Sequence, residues 1–166
     1  MDLRKIKNDY KLLFSSELNF FRDPRYGLIL GVPMGLEDNS SQDFFQICEP
    51  HENTYFTASM YHVNGMTLSG WAKIRYSTVE QKMPYLEMVC EPYQVNGANW
   101  IGFAAEYEGT FPGNDYVSRY LVLCFCQGVN LISFTITARR DKFEENVELY
   151  NWIIKNALIL EVLGTK

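Results

Sequence analysis

The sequence predicts an α+β fold: a three-layer α/β/α sandwich around a mostly antiparallel sheet of about six or seven strands. Short turns separate most of its apolar or alternating runs, and short turns join antiparallel neighbours. The run 116–127 (YVSRYLVLCFCQ) is apolar on both faces over 120–126, so we expect the sheet to be covered on both sides. Stretches with helical periodicity occur near the N-terminus, in the middle and in a C-terminal helix.

Length and composition indicate one domain spanning residues 1–166. A chain of this size buries roughly 70% of its unfolded surface, which is enough for a core without disulfide or metal cross-links. Charged residues make up 21% of the chain, which disfavours disorder. Aromatic residues reach 15%, and Tyr and Trp suit both half-exposed sheet faces and binding surfaces.

The first part of the chain predicts a helix and then a strand. We expect an amphipathic helix over 3–15, within an N-terminal segment 1–16, capped by Asp2. Its apolar face would consist of Leu3, Ile6, Tyr10 and Leu13. A strand over 26–32 opens the core region 26–160, and as a long edge strand it would pair between two copies in a homodimer.

The middle of the chain alternates strands with one helix. Strands are expected over 43–48, 54–63, 85–90 and 100–108. The helix over 67–82 would be capped by Thr67 or Ser69, and its apolar stripe would include either Ile74 or Arg75. Asn96-Gly97 predicts a hairpin turn, because both residue types tolerate positive φ.

The C-terminal third contains the strongest folding signals. Two strands, 116–127 and 131–138, are followed by an amphipathic helix over 141–160. Asp141 at the N-cap and Glu144 three residues later form a variant of the capping box.

Sequence patterns for catalysis and for metal binding are absent. No HExxH, paired CxxC, GxSxG, GxxxxGK[ST] or GxGxxG occurs, so we expect no metal, no cofactor and no catalytic residues. Cys48 and His51 are three residues apart across an expected turn, so contact is sterically possible, but the pattern favours a strand-end thiol beside a solvated turn histidine. Glu106 and Glu108 share a strand face, which favours a solvated edge over an acid/base pair.

Charge and targeting signals predict a cytoplasmic protein that binds neither nucleic acid nor membrane. The net charge is −5 and no basic stripe is present to neutralise phosphates. The N-terminal residues lack the apolar run of a signal peptide, and no stretch is apolar enough to span a membrane. The four cysteines lie in apolar, strand-like runs and are expected to be free, buried thiols.

Aromatic residues on the sheet face opposite the expected core are the candidate protein-binding site. If helices do not cover this face, it forms an aromatic patch of the kind that binds another protein. Phe111, in a loop between Thr110 and Pro112, is the expected anchor. The candidate residues are Tyr55, Tyr61, Trp100, Phe111, Tyr116 and Tyr120.

The order of elements resembles the PsbP/DcrB-like fold group. That group includes photosystem II extrinsic proteins, a Ran-binding nuclear import factor and bacterial DcrB-type proteins, some of which are cytosolic adaptor-chaperones for type VI secretion effectors. Pro33 is followed by Met34, whereas the group commonly has a Trp shortly after this Pro. The resemblance covers roughly residues 26–160 and is carried by Gly31-Val32-Pro33, Asn96-Gly97, the run 116–138 and the helix from Asp141.

These observations lead to a functional hypothesis and an alternative. The hypothesis is a non-enzymatic cytosolic protein-binding module, an adaptor-chaperone or immunity protein of a bacterial secretion or toxin system, whose partner is an effector, toxin or secretion component. The alternative is a carrier of a small apolar ligand, or an enzyme, with a pocket between sheet and helix. Fold resemblance by itself does not decide between them.

Overall fold

A computed structural model describes residues 2–25, 27–62, 65–127 and 130–159 of the chain. The helices are α1 (Leu3–Phe14), α2 (Leu68–Lys82), α3 (Arg140–Glu145) and α4 (Val147–Asn156). The strands are β1 (Leu18–Asp23), β2 (Leu28–Pro33), β3 (Glu37–Asp38), β4 (Phe45–Glu49), β5 (Thr54–His62), β6 (Leu86–Asn96), β7 (Ile101–Gly109), β8 (Ser118–Gln127), β9 (Asn130–Arg139) and β10 (Leu158–Ile159). None of these helices has the length and apolar character needed to cross a membrane.

The main sheet has seven antiparallel strands in the order β3-β4-β5-β9-β8-β7-β6. Its interior pair, β8 and β9, runs in unbroken register from Ser118 opposite Arg139 to Gln127 opposite Asn130. Five consecutive residues of β8, from Leu121 to Phe125, are buried, so both faces of this strand lie inside the protein. The predicted α+β fold with a covered, antiparallel sheet is confirmed.

Each face of the main sheet packs against different elements. On one face, Phe56 and other apolar residues of the sheet pack against Tyr150 and Ile153 of α4. On the other face, Trp71 and Val79 of α2 belong to a second core cluster with residues of β7 and β8. Thr67 caps α2 as expected, because its hydroxyl accepts a hydrogen bond from the Gly70 amide at 3.1 Å.

A second sheet, of three strands, lies on the α4 side in the order β1-β2-β10. The expectation that 26–32 forms an edge strand is wrong: β2 lies between β1 and β10, and Tyr26 lies outside the described residues. On its second side, β2 pairs with β10 at Leu28 and Ile29 only, and a homodimer stays a prediction. The amphipathic α1 packs on the small sheet through Ile6 and Tyr10, and Asp2 caps it as predicted.

The predicted C-terminal helix 141–160 is, over residues 141–159, two helices followed by a strand, and residue 160 lies outside the described residues. Asn146 separates α3 from α4, and its side chain donates to the Lys142 carbonyl at 2.8 Å, a local bond that competes with the helical pattern. Asp141 does not cap the helix, which begins one residue earlier at Arg140. Its carboxylate instead accepts a bond from Arg139 at 3.2 Å.

The β6–β7 hairpin clamps the C-terminal segment with two side chains. Asn99 donates to the Ile159 carbonyl at 2.6 Å and accepts from the Ile159 amide at 3.1 Å, so it acts as a strand neighbour for β10. Trp100 Nε1 donates to the Ala157 carbonyl at 2.9 Å. Gly97 is needed here for space rather than for positive φ, since a Cβ would fall 2.0 Å from the Trp100 ring.

The four cysteines differ in burial. Cys48 and Cys124 are buried, Cys90 is intermediate and Cys126 is exposed, so the expectation of buried thiols is wrong for Cys126. Burial raises the pKa of the Cys124 thiol to about 12, against an opposing effect of the Arg75 charge. Burial also raises the pKa of Cys48, and the carboxylates of Glu37 and Glu49 add to the effect.

The clamp predicts a stability effect for Asn99→Ala. The substitution removes both hydrogen bonds to the backbone of Ile159 and should lower the free energy of unfolding by roughly 1–3 kcal/mol in chemical denaturation. The control Asn151→Ala, at an exposed position of α4, should change it by no more than about 0.5 kcal/mol. If both substitutions lowered the free energy of unfolding equally, the two hydrogen bonds of Asn99 would not be stabilising the fold as proposed.

Thiol burial predicts an order of alkylation. Cys126 should react with iodoacetamide first and Cys90 next, whereas Cys48 and Cys124 should react only as fast as the protein opens. Peptide mass spectrometry over a time course measures the four rates, and labelling in denaturant provides the control in which they converge. A native rate for Cys124 equal to that of Cys126 would show that the core around β8 is not closed.

Candidate functional site

One helix cannot cover the second face of the main sheet. Seven strands spaced by about 4.8 Å span roughly 29 Å, whereas a helix with its side chains is about 10 Å wide. The single helix described on this face, α2, packs chiefly over β7 and β8, where Trp71, Tyr76 and Val79 contribute to the core. Beside it, side chains of β4, β5 and β9 form a surface that this helix leaves open.

This open surface is a groove with a volume of about 380 Å³. Strand alternation builds it: Tyr55 lies opposite Thr137, and Thr57 lies opposite both Gln46 and Thr135, so these side chains share one face. The loop between β7 and β8 supplies a wall. The lining residues are Gln46, Asn53, Tyr55, Thr57, Phe111, Asn114, Tyr116, Ser118, Tyr120, Thr135 and Thr137.

The groove is lined by hydroxyl, amide and aromatic groups and by no charged side chain. Gln46 Nε2 donates to the Thr57 hydroxyl at 3.0 Å, which fixes part of the floor. Tyr55 and Thr137 are partly exposed, whereas Tyr120 is 6% exposed and forms the deep end. Such a surface offers aromatic contact area together with neutral hydrogen-bonding groups, which suits recognition of polypeptide.

The aromatic walls of the groove are held in place by their neighbours. The Phe111 ring lies 5.3 Å from the Tyr85 ring and 6.1 Å from the Tyr120 ring, measured between centroids. The Arg139 guanidinium lies 5.1 Å from the centroid of the Tyr116 ring. Phe111 therefore forms an ordered wall of the groove, and its role as an anchor for a partner stays a prediction.

Four of the six predicted site residues line this groove: Tyr55, Phe111, Tyr116 and Tyr120. Tyr61 lies further along the same face of β5, is 40% exposed and packs against Trp71 with ring centroids 4.8 Å apart. It is a neighbour of the groove rather than part of its lining.

The placement of Trp100 on this face is wrong. Trp100 is 7% exposed and belongs to the core on the α4 side, where its ring stacks on Phe125 at 4.9 Å. Alternation along β7 directs residue 104 to that same core, and Trp100 follows the same phase. The indole closes the core and is not available to a partner.

Polar floor residues were missed at the sequence level. No polar face was expected for the strand 131–138, yet Ser133, Thr135 and Thr137 alternate with Ile132, Phe134 and Ile136. This period of two was the available signal for a polar stripe. Together with Thr57 on the neighbouring strand, it would have predicted the floor.

Arg75 of α2 lies beside the groove, at Ser133, which is two residues along β9 from the lining residue Thr135. Of the two residues considered for the apolar stripe, Ile74 is 48% exposed and Arg75 faces the sheet. Arg75 Nε donates to the Ser133 hydroxyl at 2.9 Å. Burial raises the pKa of Tyr120, while the Arg75 charge and hydrogen bonds from Thr135 and Arg75 oppose this shift.

Other constellations with possible chemistry have structural explanations. Cys48 is buried while His51 is exposed, and the raised pKa of the Cys48 thiol opposes thiolate formation. Glu106 and Glu108 both lie against Arg119, at 3.6 Å and 3.4 Å, as ion pairs. Within the described ranges, no three His, Cys, Asp or Glu side chains cluster in a way that would hold a metal ion.

A smaller cavity, of about 150 Å³, lies between the main sheet and α4. Leu36, Phe56, Leu149 and Tyr150 contribute its apolar lining. Pockets that enclose small organic ligands usually have volumes of about 300–1,000 Å³. This cavity is therefore smaller than a typical site for a small organic ligand.

Comparison with known proteins gives matches in structure. The chain is similar to PsbP (CyanoP) from Synechocystis sp. PCC 6803, with a TM-score of 0.67 and 13% identity over 89% of this chain and 94% of that one. It is similar to LpqN, involved in cell envelope biogenesis of Mycobacterium tuberculosis, with a TM-score of 0.60 and 12% identity over 90% and 94% of the two chains. It is also similar to the Saccharomyces cerevisiae Ran-binding protein Mog1p, with a TM-score of 0.57 and 9% identity over 87% and 96%.

Comparison of the amino-acid sequence with known families and curated proteins finds no relative. No protein-family model matches the chain, and no curated protein matches its sequence. At identities of 9–13%, the structural similarities show the fold alone. The chain therefore has the PsbP-like fold, as the order of its strands and helices predicted.

Proposed function

We propose that this protein is a non-enzymatic protein-binding module whose contact surface is the groove beside α2. The observation that carries the proposal is the composition of that groove: fixed aromatic walls, a floor of threonine and glutamine side chains, and no charged lining residue. An extended polypeptide segment offers what this surface recognises, namely apolar side chains for the rings and amide groups for the hydroxyls.

The rigidity of the groove supports this proposal. Phe111 is held between Tyr85 and Tyr120, and Tyr116 lies against Arg139. Side chains that are already ordered lose little conformational entropy on binding, so a larger share of the contact energy remains as affinity. A structural neighbour, Mog1p, is described as a Ran-binding protein, so the fold is compatible with protein binding.

A more specific form of the proposal assigns the protein to the cytoplasm of a bacterium. There it would act as an adaptor-chaperone or immunity protein of a secretion or toxin system, and an effector, toxin or secretion component would occupy the groove. The resemblance to DcrB-type adaptor-chaperones motivates this form. Its test is reconstitution with the product of a neighbouring gene, where a stable complex or loss of toxicity is the expected result.

The general proposal predicts groove-dependent capture of a protein. Tagged protein should retain a partner from native lysate of its source, and the purified partner should bind in a two-component assay. Thr137→Arg, which places a long cation on the groove floor, and Tyr55→Ala, which removes a wall, should each weaken binding at least about tenfold. The control Asn8→Arg adds the same side chain at an exposed position of α1 and should leave the affinity unchanged.

Native mass spectrometry of the same preparation separates protein binding from ligand carriage. A retained small molecule without a protein partner would contradict the proposal. So would a protein partner whose affinity is the same for the parent protein, Thr137→Arg and Tyr55→Ala, because that partner would bind elsewhere.

A further inference from the structure

We infer that Arg75 is the anion-binding end of the groove and that the segment it accepts carries one carboxylate in an otherwise uncharged stretch of polypeptide. This inference rests on the proposed function and specifies its partner. The guanidinium bonds to Ser133, which shares a face of β9 with the groove-lining Thr135, and its charge acts on Tyr120, which also lines the groove. The carboxylate would therefore bind where the groove meets α2.

Arg75 differs from the other partly buried arginines. Arg25 pairs with the buried Asp23, and Arg119 lies between Glu106 and Glu108. Across the described ranges, no carboxylate lies within 4.0 Å of the Arg75 guanidinium. A cation held partly away from water without a counter-charge is costly, and an incoming carboxylate would supply the missing charge.

The groups around Arg75 remain neutral near pH 7. Burial raises the pKa of Cys124 and of Tyr107 to about 12, and it raises the pKa of Tyr120 as well. Glu80 is close enough to influence Tyr107, but it is exposed and forms no ion pair with Arg75. None of the thiol or phenol groups can therefore provide the negative charge.

The geometry of the guanidinium suits a carboxylate. Arg75 Nε is occupied by the Ser133 hydroxyl, which fixes the plane of the group and leaves the terminal nitrogens as donors. Arginine binds carboxylates through short, charge-assisted hydrogen bonds. The net charge of −5 repels a strongly acidic partner, and the uncharged lining favours neutral residues, so we assign a single carboxylate rather than an acidic run.

Peptide selection tests this inference with a defined probe. A displayed library of short random peptides is selected on the parent protein, and selected peptides are synthesised with Asp or Glu and with the matching Asn or Gln. We expect the selected peptides to share one acidic position. Arg75→Gln should lower the affinity for the acidic peptide about ten- to a hundredfold, and Arg75→Lys should lower this affinity less. Lys73→Gln, the same charge change at an exposed position of α2, should have no effect.

The amide peptide completes a double-mutant cycle. It should bind the parent protein more weakly than the acidic peptide does, but it should bind Arg75→Gln and the parent protein equally. The comparison of the two peptides on the parent protein needs no protein variant, so it stands even if Arg75→Gln unfolds. Thermal melting of each variant shows whether its fold is intact.

The outcomes separate this inference from the proposed function. Suppose that the selected peptides bind Thr137→Arg more weakly than the parent protein, share no acidic position and bind Arg75→Gln as tightly as the parent protein. That result would overturn the inference and leave the proposed function standing. Tighter binding when phosphoserine replaces the acidic residue would overturn the assignment of a carboxylate. If no selected peptide depends on Thr137, the proposed function fails, and the inference fails with it.

Discussion

The β8–β9 ladder imposes the constraint on which the rest of the structure depends. Its two strands run side by side through the middle of a seven-stranded sheet, and β8 is apolar on both faces. Both faces must therefore be covered. On one face, α3, α4 and the small sheet provide a broad layer, whereas on the other face α2 is too narrow for the whole sheet. The candidate groove results from this difference in width.

The sequence of the strands is adapted to that unequal cover. Beneath α2, the sheet carries Val122 and Cys124, which join its apolar core. Away from α2, the same face carries Thr57 and Thr137, which tolerate partial exposure while keeping a high preference for extended backbone. Arg75 lies on the boundary between the two regions, where its guanidinium bonds to the Ser133 hydroxyl.

Local signals made most of the fold predictable. The caps at Asp2 and Thr67, and the apolar runs of β8 and β9, depend on neighbours within a few residues, and the structure agrees with them. By contrast, β10 is only two residues long and exists because β2 and the Asn99 amide accept it. Nothing within that short segment could reveal partners so distant in the chain.

The candidate site was only partly predictable, because some of its contacts are local in sequence and others are not. Alternation along β5 places Tyr55 and Thr57 on one face, but the floor also needs the register between strands that are distant in sequence. Trp100 was misplaced because β7 is buried on both faces, with Ala104 in one core cluster and Ala105 in the other, so alternation alone does not tell which face lies towards α4. The choice between Ile74 and Arg75 needed the angle at which α2 meets the sheet, which helical periodicity alone leaves open.

The position of β2 between β1 and β10 has a consequence for biosynthesis. During translation, β1 can pair with β2 early, but β10 is separated from β2 by more than a hundred residues. Until residue 159 has left the ribosome, one side of an almost entirely buried strand stays open to any extended chain nearby. The nascent protein thus passes through a long interval in which this edge can mispair, until β10, held by Asn99 and Trp100, pairs with Leu28 and Ile29.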